Sequence, residues 1–245
     1  MPRIYINEKE INDATVILEG ERAVHLSRSL RMRVGESVTL CNGERVDYEG
    51  VIENISSTQV CVKILRGEVS PAEPPYKARL FMALPKSDKM EMIVQKAVET
   101  GVYEIVPFIS ERCISRPDDS SGKKKVERWC KIAESAAEQC GRGIIPKVHG
   151  IVPYKTALEM AKNDDVRFVC YECERENSLA AKLGGIKNKE TVISFFVGAE
   201  GGFSENEVKL AEECGITRVT LGKRILRCET APLFVLSVMS ALLDE

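Results

Sequence analysis

The run Gly67-Glu68-Val69-Ser70-Pro71-Ala72-Glu73-Pro74-Pro75 constrains the fold of this chain most, because the apolar pattern on one side of it differs from that on the other. Three prolines in five positions exclude helix and withhold ladder hydrogen bonds. The segment therefore reads as a linker, and the chain divides into 1–70 and 71–245. Before the linker, short apolar runs predict strands at Ile4 to Ile6, Thr15 to Leu18, Ser37 to Cys41, Tyr48 to Ile55 and Gln59 to Ile64. Gly20, Gly35, Asn42-Gly43 and Ser56-Ser57 supply the breaks. That pattern predicts a small β-barrel, interrupted by one helix from Glu21 to Leu30.

After the linker, strand and helix alternate. The predicted order is strand Ala78 to Leu84, helix Asp88 to Thr100, strand Glu104 to Phe108, helix Lys123 to Gln139 and strand Arg167 to Tyr171. Strand Thr191 to Val197, helix Ser204 to Cys214, strand Arg218 to Leu221 and a C-terminal helix from Pro232 to Leu243 complete it. Alternation of this kind implies a mostly parallel sheet in an α/β domain. Ser204 and Glu207 have capping-box spacing, and Gly101 and Gly215 stand where helices should stop.

Two segments deliver chemistry to one edge of that sheet. Gly198-Ala199-Glu200-Gly201-Gly202-Phe203 ends one apolar strand, and Leu221-Gly222-Lys223-Arg224-Ile225-Leu226-Arg227-Cys228-Glu229-Thr230-Ala231 ends another. Ligands bind beyond the carboxyl ends of parallel strands. Glycines at 198, 201 and 202 permit positive φ and let the backbone approach a ligand closely. A Gly-rich turn alone is a weak signal, since a plain turn before a helix gives the same letters. The second loop adds Arg224, Arg227, Glu229 and Thr230 within a few residues, a density of charge and hydroxyl that a solvated turn rarely needs.

Composition narrows the setting. The 245 residues carry a formal net charge of −2, so there is no global basic field, and any nucleic-acid contact must come from local clusters. One such cluster is Arg22, Arg28, Arg31 and Arg33, although residues 1–70 hold nine basic and eleven acidic side chains. Before any resemblance is considered, RNA contact and a plain polar face account for this cluster equally well. Nine cysteines at irregular spacings read as reduced, mostly buried thiols. Cys170 and Cys173 form a CxxC, but Glu174 and Glu176 follow it, and negative neighbours raise a thiol pKa. With only His25 and His149 available, no metal is expected. The N-terminus lacks a leader pattern and no apolar run reaches membrane-spanning length, so a cytoplasmic protein is expected.

The residues that carry these signals resemble a known family, the bacterial small-subunit (16S) ribosomal RNA uridine N3-methyltransferases of the SPOUT, trefoil-knotted, class. The resemblance rests on the loop ending in Glu200-Gly201-Gly202-Phe203-Ser204 and on Leu221 to Ala231. It extends to Lys86-Ser87-Asp88-Lys89-Met90-Glu91, Ala136 to Arg142 and Leu30 to Gly35, and so covers nearly the whole chain. One departure is Ala199, where the family usually has proline.

The resemblance implies a PUA-like RNA-binding barrel in 1–70 and a knotted α/β domain in 71–245 that binds S-adenosylmethionine and forms a homodimer. It implies that the cofactor is held by Tyr171, Glu172, Gly198, Glu200, Gly201, Leu221, Gly222, Ile225, Leu226, Arg227, Thr230 and Ala231. It implies RNA contacts from Arg3, Arg28, Arg31, Arg33, Lys86, Lys89, Gln139 and Arg142.

Methyl transfer is a displacement in which positioning dominates. Uridine nitrogen 3 carries a proton, so a base or a cation that stabilises the uridylate is also required. Arg227 and Glu229 are the catalytic candidates. Arg227 would face the uracil oxygens, and Glu229 would accept the proton or form a salt bridge with a nearby arginine. The competing class is an RNA-binding protein with a vestigial nucleotide pocket, which would tolerate loss of Gly201, Arg227, Glu229 and Thr230, yet all are present. A Rossmann-type methyltransferase lacks its Gly-x-Gly-x-x-Gly.

Overall fold

The computed structural model describes residues 1–188 and 190–244. They form two compact units, one of Met1–Glu73 with Ala137–Ile145 and one of Pro74–Ala136 with the residues from Pro146 onward.

In the first unit the strands are β1 (Arg3–Tyr5), β2 (Ile11–Asn12), β3 (Thr15–Glu19), β4 (Ser37–Cys41), β5 (Val46–Ile55) and β6 (Gln59–Val69). Their order is β1-β4-β5-β6-β3-β2, with β1 and β4 parallel and the other pairs antiparallel. The sheet is a half-barrel, because no ladder joins β1 to β2. Arg22 spans that opening, donating to the Tyr5 carbonyl at 3.3 Å and to the Glu10 carboxylate at 2.6 Å. Alternate residues turn inward, and Ile4, Val16, Leu18, Val38, Leu40, Ile52, Val60 and Val62 make the core. The predicted helix is present as α1 (Gly20–Val24) running into a π-helical turn, His25–Ser29, which buries Ala23 and Leu26. Arg31, at φ 53°, ends it.

The linker is shorter than its sequence suggests. Gly67 continues the ladder opposite Tyr48, and β6 runs on to Val69. The missing Cβ explains this, since one built at Gly67 would stand 3.0 Å from the Tyr48 ring, where glycine seats the aromatic side chain.

The second unit follows the order β7 (Lys77–Ala83), α2 (Lys89–Glu99), β8 (Val102–Ile109), α3 (Asp119–Cys140), β9 (Lys147–Val148), β10 (Val152–Pro153) and α4 (Tyr154–Met160). It continues with β11 (Val166–Cys170), α5 (Leu179–Leu183), β12 (Val192–Val197), α6 (Glu205–Glu213), β13 (Thr217–Val219) and α7 (Ala231–Leu243). Every strand pair is parallel, in the order β10-β8-β7-β12-β11-β13 with β9 beside β8. The short elements β2, β9, β10, α4 and α5 escape the sequence reading, because two to seven residues are too few to show a period.

Aromatic packing fixes the centre. Phe81 and Phe196 stack at 4.3 Å between adjacent strands, and Phe108 stacks on Phe203 at 6.2 Å. Phe203 is 1 % exposed, so the residue after the glycine turn is an anchor that pulls the turn onto the sheet. At the opposite ends of the strands Arg79 donates to Asp164 and Glu104, and Glu104 also meets His149. Helix α7 buries Pro232, Val235, Leu236, Met239 and Leu243 and leaves Phe234 and Leu242 exposed. No helix among the described residues is long and apolar enough to cross a membrane.

Candidate functional site

The carboxyl ends of β11, β12 and β13 and the start of α2 surround a cleft of about 460 Å³. That is the size expected for a small-molecule site. Its walls are three loops. Val197 to Gly202 leaves β12, Cys170 to Arg175 leaves β11, and Thr220 to Ala231 leaves β13. The last strand ends at Val219, two residues earlier than its apolar pattern predicts, and Leu221 thereby moves from ladder to cleft wall.

Glycine matters in the first loop for two separate reasons. Gly202 has φ 63°, a conformation that costs other residues energy. A Cβ on Gly198 would lie 3.0 Å from the Gly202 backbone, so the turn closes on itself only without one. Gly201 differs from the expectation that all three glycines serve a ligand's approach. Its absent Cβ faces the Arg112 side chain, 3.1 Å away, and the Arg112 guanidinium donates to the Gly201 carbonyl at 2.8 Å.

Lys89 joins two of the walls. Its Nζ lies 2.8 Å from Glu200 in the first loop and 3.3 Å from Glu229 in the last. The Lys86 amide also donates to Glu200, at 3.2 Å. Hydrogen bonding to Glu200 and then to Glu229 raises the Lys89 pKa to about 12. Burial works against the Glu229 charge, but the Cys228 thiol, a backbone amide and Lys89 outweigh it and hold the carboxyl below its ordinary range. The Cys228 thiol, buried and beside Glu229 at 3.2 Å, is pushed up to about 12. Glu229 therefore stands as an ionised, committed carboxylate paired to a lysine rather than to an arginine. Arg227 differs: it is exposed, lines the cleft and makes no side-chain hydrogen bond or ion pair among the described residues.

The wall after β11 is fixed by Glu174. Its carboxylate accepts from the amides of Arg175, Glu176 and Asn177 and pairs with Arg218 at 2.6 Å. The backbone bonds at Glu176 and Asn177 dominate in lowering its pKa to about 2. Tyr171 and Glu172 are thus presented from a rigid turn. Burial pushes the Cys170 thiol up to about 12, opposite in direction to the lowered thiol of a redox pair, and Cys173 is exposed. Of the nine cysteines only Cys41, Cys113 and Cys228 are buried, fewer than the sequence suggests. Among the described residues no cluster of His, Cys, Asp and Glu could hold a metal ion.

The cleft brings together Tyr171, Glu172, Gly198, Glu200, Gly201, Leu221, Gly222, Ile225, Leu226, Arg227, Glu229 and Ala231; Thr230, exposed at the start of α7, is not on its wall. It also brings in Arg175, Lys223 and Cys228, which the sequence reading had not singled out as site residues. Of the cations expected to face RNA, Arg28, Arg31, Arg33 and Lys86 are exposed, as is Gln139. Three do not fit that expectation. Lys89 belongs to the cleft. Arg3 forms a fork with Asp47, 2.7 Å at Oδ2, with both side chains nearly buried. Arg142 is 4 % exposed and paired with Glu73 at 2.8 Å, so its guanidinium is turned to a buried carboxylate rather than to the surface.

Comparison with known proteins agrees with this geometry. Residues 72–240 match the model of an RNA methyltransferase domain, and residues 18–65 match an RNA methyltransferase PUA domain. Ribosomal RNA small subunit methyltransferase E from Bacillus subtilis is 33 % identical over 242 residues, 97 % of this chain and 94 % of the relative. The protein of that name from Mesomycoplasma hyopneumoniae is 34 % identical over 238 residues, 97 % and 98 % of the two chains. A crystal structure of the Neisseria gonorrhoeae protein of that name, bound to S-adenosyl methionine, superposes with a TM-score of 0.86 at 34 % identity, covering 99 % of this chain and 98 % of that one.

Proposed function

This chain belongs to the ribosomal RNA small subunit methyltransferase E family, and from that premise we propose that it methylates nitrogen 3 of one uridine in 16S rRNA, using S-adenosylmethionine. The observation that carries this reading is the cleft. Three loops at the carboxyl edge of a parallel sheet enclose a volume suited to a nucleoside-sized cofactor, on a turn that Gly198 and Gly202 allow to close. Apolar Val197, Leu221, Leu226 and Ala231 offer a surface for a base, and the exposed Glu172 carboxylate offers hydrogen-bond acceptance.

Bound there, S-adenosylmethionine supplies an electrophilic methyl group on a sulfonium centre. The chain's residues divide the remaining work. Arg227, without a side-chain partner among the described residues, stabilises the negative charge that uracil develops as nitrogen 3 releases its proton to solvent water. Glu229 and Glu200 hold Lys89 between two walls, which keeps the last loop in register with the first. This differs from a proton-accepting Glu229, because a carboxylate held ionised by an ammonium and a thiol is a poor base.

The half-barrel in residues 1–70 carries the exposed Arg28, Arg31 and Arg33 and takes the role of RNA-binding module, while 71–245 binds cofactor and dimerises. Support for a homodimer comes from α7, whose Phe234 and Leu242 remain exposed beside its buried face. A trefoil-knotted path and a cytoplasmic location belong to the same reading. The test is methyl transfer to small ribosomal subunits from cells lacking the modification, with the product nucleoside identified by mass spectrometry. Labelled N3-methyluridine is expected, and a product methylated elsewhere would overturn the assignment of the atom.

A further inference from the structure

The loop that follows β8 was silent in sequence and stands out in the structure. Its two arginines are held by backbone carbonyls. Arg112 donates to the Gly201 carbonyl at 2.8 Å, and Arg116 donates to the carbonyls of Cys113 and Glu111 at 3.3 and 3.1 Å. Neither forms an ion pair among the described residues. Two of the acids nearby in sequence are otherwise engaged: Glu111 accepts from the Ser204 hydroxyl at 2.6 Å, and Asp118 accepts from the Ser121 amide at 2.8 Å. Both arginines are exposed, with Ile114 between them 70 % exposed.

A carbonyl fixes a guanidinium's direction without cancelling its charge, and each fork keeps donors to spare. Pre-orientation of that kind lowers the entropy lost when an anion docks. The position is equally telling, because Arg112 is bonded to the turn that forms one wall of the cleft. Lys86 reaches the same turn from the other strand loop, through its amide on Glu200. A base presented to a methyl group must come within about 3–3.5 Å of it, so the phosphodiester on either side of that base has to cross the rim of the cleft.

We infer that Arg112 and Arg116 form a phosphate-binding rim that seats the RNA backbone beside the target nucleotide. This rests on the function proposed above and adds a substrate-positioning role for a loop outside the half-barrel. The site takes phosphodiester and is indifferent to base identity.

The experiment uses the full-length protein, small ribosomal subunits lacking the modification, and the variants Arg112→Gln, Arg112→Lys and Arg116→Gln. Each Gln variant should weaken subunit binding and reduce the slope of log affinity against log salt by about one unit. Arg112→Lys should keep the slope. Cofactor affinity, measured by calorimetry, should stay within about twofold of wild type. A wild-type slope in both Gln variants, while the unaltered protein still methylates subunits, would overturn the rim and leave the function intact. Should Arg112→Gln lose cofactor affinity, Arg112 is a prop for Gly201, and Arg116→Gln decides, because the Arg116 hydrogen bonds go to carbonyls of its own loop. Conversion of either variant to a monomer would mark the loop as an interface between copies and overturn the inference. Failure of the unaltered protein to methylate subunits would sink the function itself.

Discussion

At the scale of single residues, Arg227 and Glu229 belong to the same short motif but have different surroundings: Glu229 is paired with Lys89, and Arg227 has no side-chain partner among the described residues. Arg227→Lys keeps the charge and loses the planar fork, and single-turnover methylation should fall by about a hundredfold while cofactor affinity changes little, as for an interaction made in the transition state. Glu229→Gln should slow turnover by a similar factor from pH 6.5 to 9, because it loosens Lys89 rather than removing a base. Partial rescue at high pH would instead restore Glu229 as the proton acceptor. The glycines separate in the same way. Gly198→Val should lower cofactor affinity by tenfold or more, since its Cβ meets backbone that cannot yield. Gly201→Ala should stay within a few-fold, because it presses only on the Arg112 side chain. Equal losses at the two positions, read by calorimetry, would refute that distinction.

At the scale of elements, the loop after β11 depends on one carboxylate. Glu174 has a folded pKa of about 2, lowered from 4.5 by the backbone amides of Glu176 and Asn177 foremost. A depressed carboxyl contributes stability that is fully present above its unfolded pKa and lost as pH falls through the folded value. Thermal unfolding of the wild type should therefore drop between about pH 4.5 and pH 2, and Glu174→Gln should flatten that part of the profile. The same variant should weaken cofactor binding at neutral pH through Tyr171 and Glu172. If neither the acid profile nor the affinity changes, the turn does not rely on Glu174. Helix α6 shows the opposite case, an element legible from sequence alone. Ser204 accepts from the Glu207 amide at 3.3 Å, and Glu207 accepts from the Ser204 amide at 2.9 Å, as the spacing predicts. Capping is written in four consecutive residues. The support of the Glu174 turn by Arg218 joins residues far apart in sequence, and no local pattern could reveal it.

At the scale of the whole molecule, the segment Ala137–Ile145 belongs to the first unit although it lies in the middle of the second unit's sequence. Its lock is Arg142 on Glu73, with Tyr5 and Arg3 donating to the Arg142 carbonyl at 2.7 and 3.2 Å. Removing one partner of a buried pair leaves an uncompensated charge, so Arg142→Met should cost about 3–5 kcal/mol by denaturant unfolding. Truncation at Ala72 would strip this segment of its partners among the strands. The shortened protein should lose stability as well as activity on subunits, and a fragment as stable as the second unit of the intact protein would contradict this account. Several features with a local signal are legible in the chain. These are the change from short strands to alternating strand and helix, the parallel sheet this implies, the two loops at one edge and the capping box. Residue type and spacing of a few positions encode those. Folding settles where long-range partners meet: Lys89 ties the cleft walls together, Arg3 and Arg142 are internal staples, and Arg112 and Arg116 form no ion pair among the described residues. A cation's role depends on which carboxylates or carbonyls folding brings within about 3 Å of it, and a linear pattern carries no information about that distance.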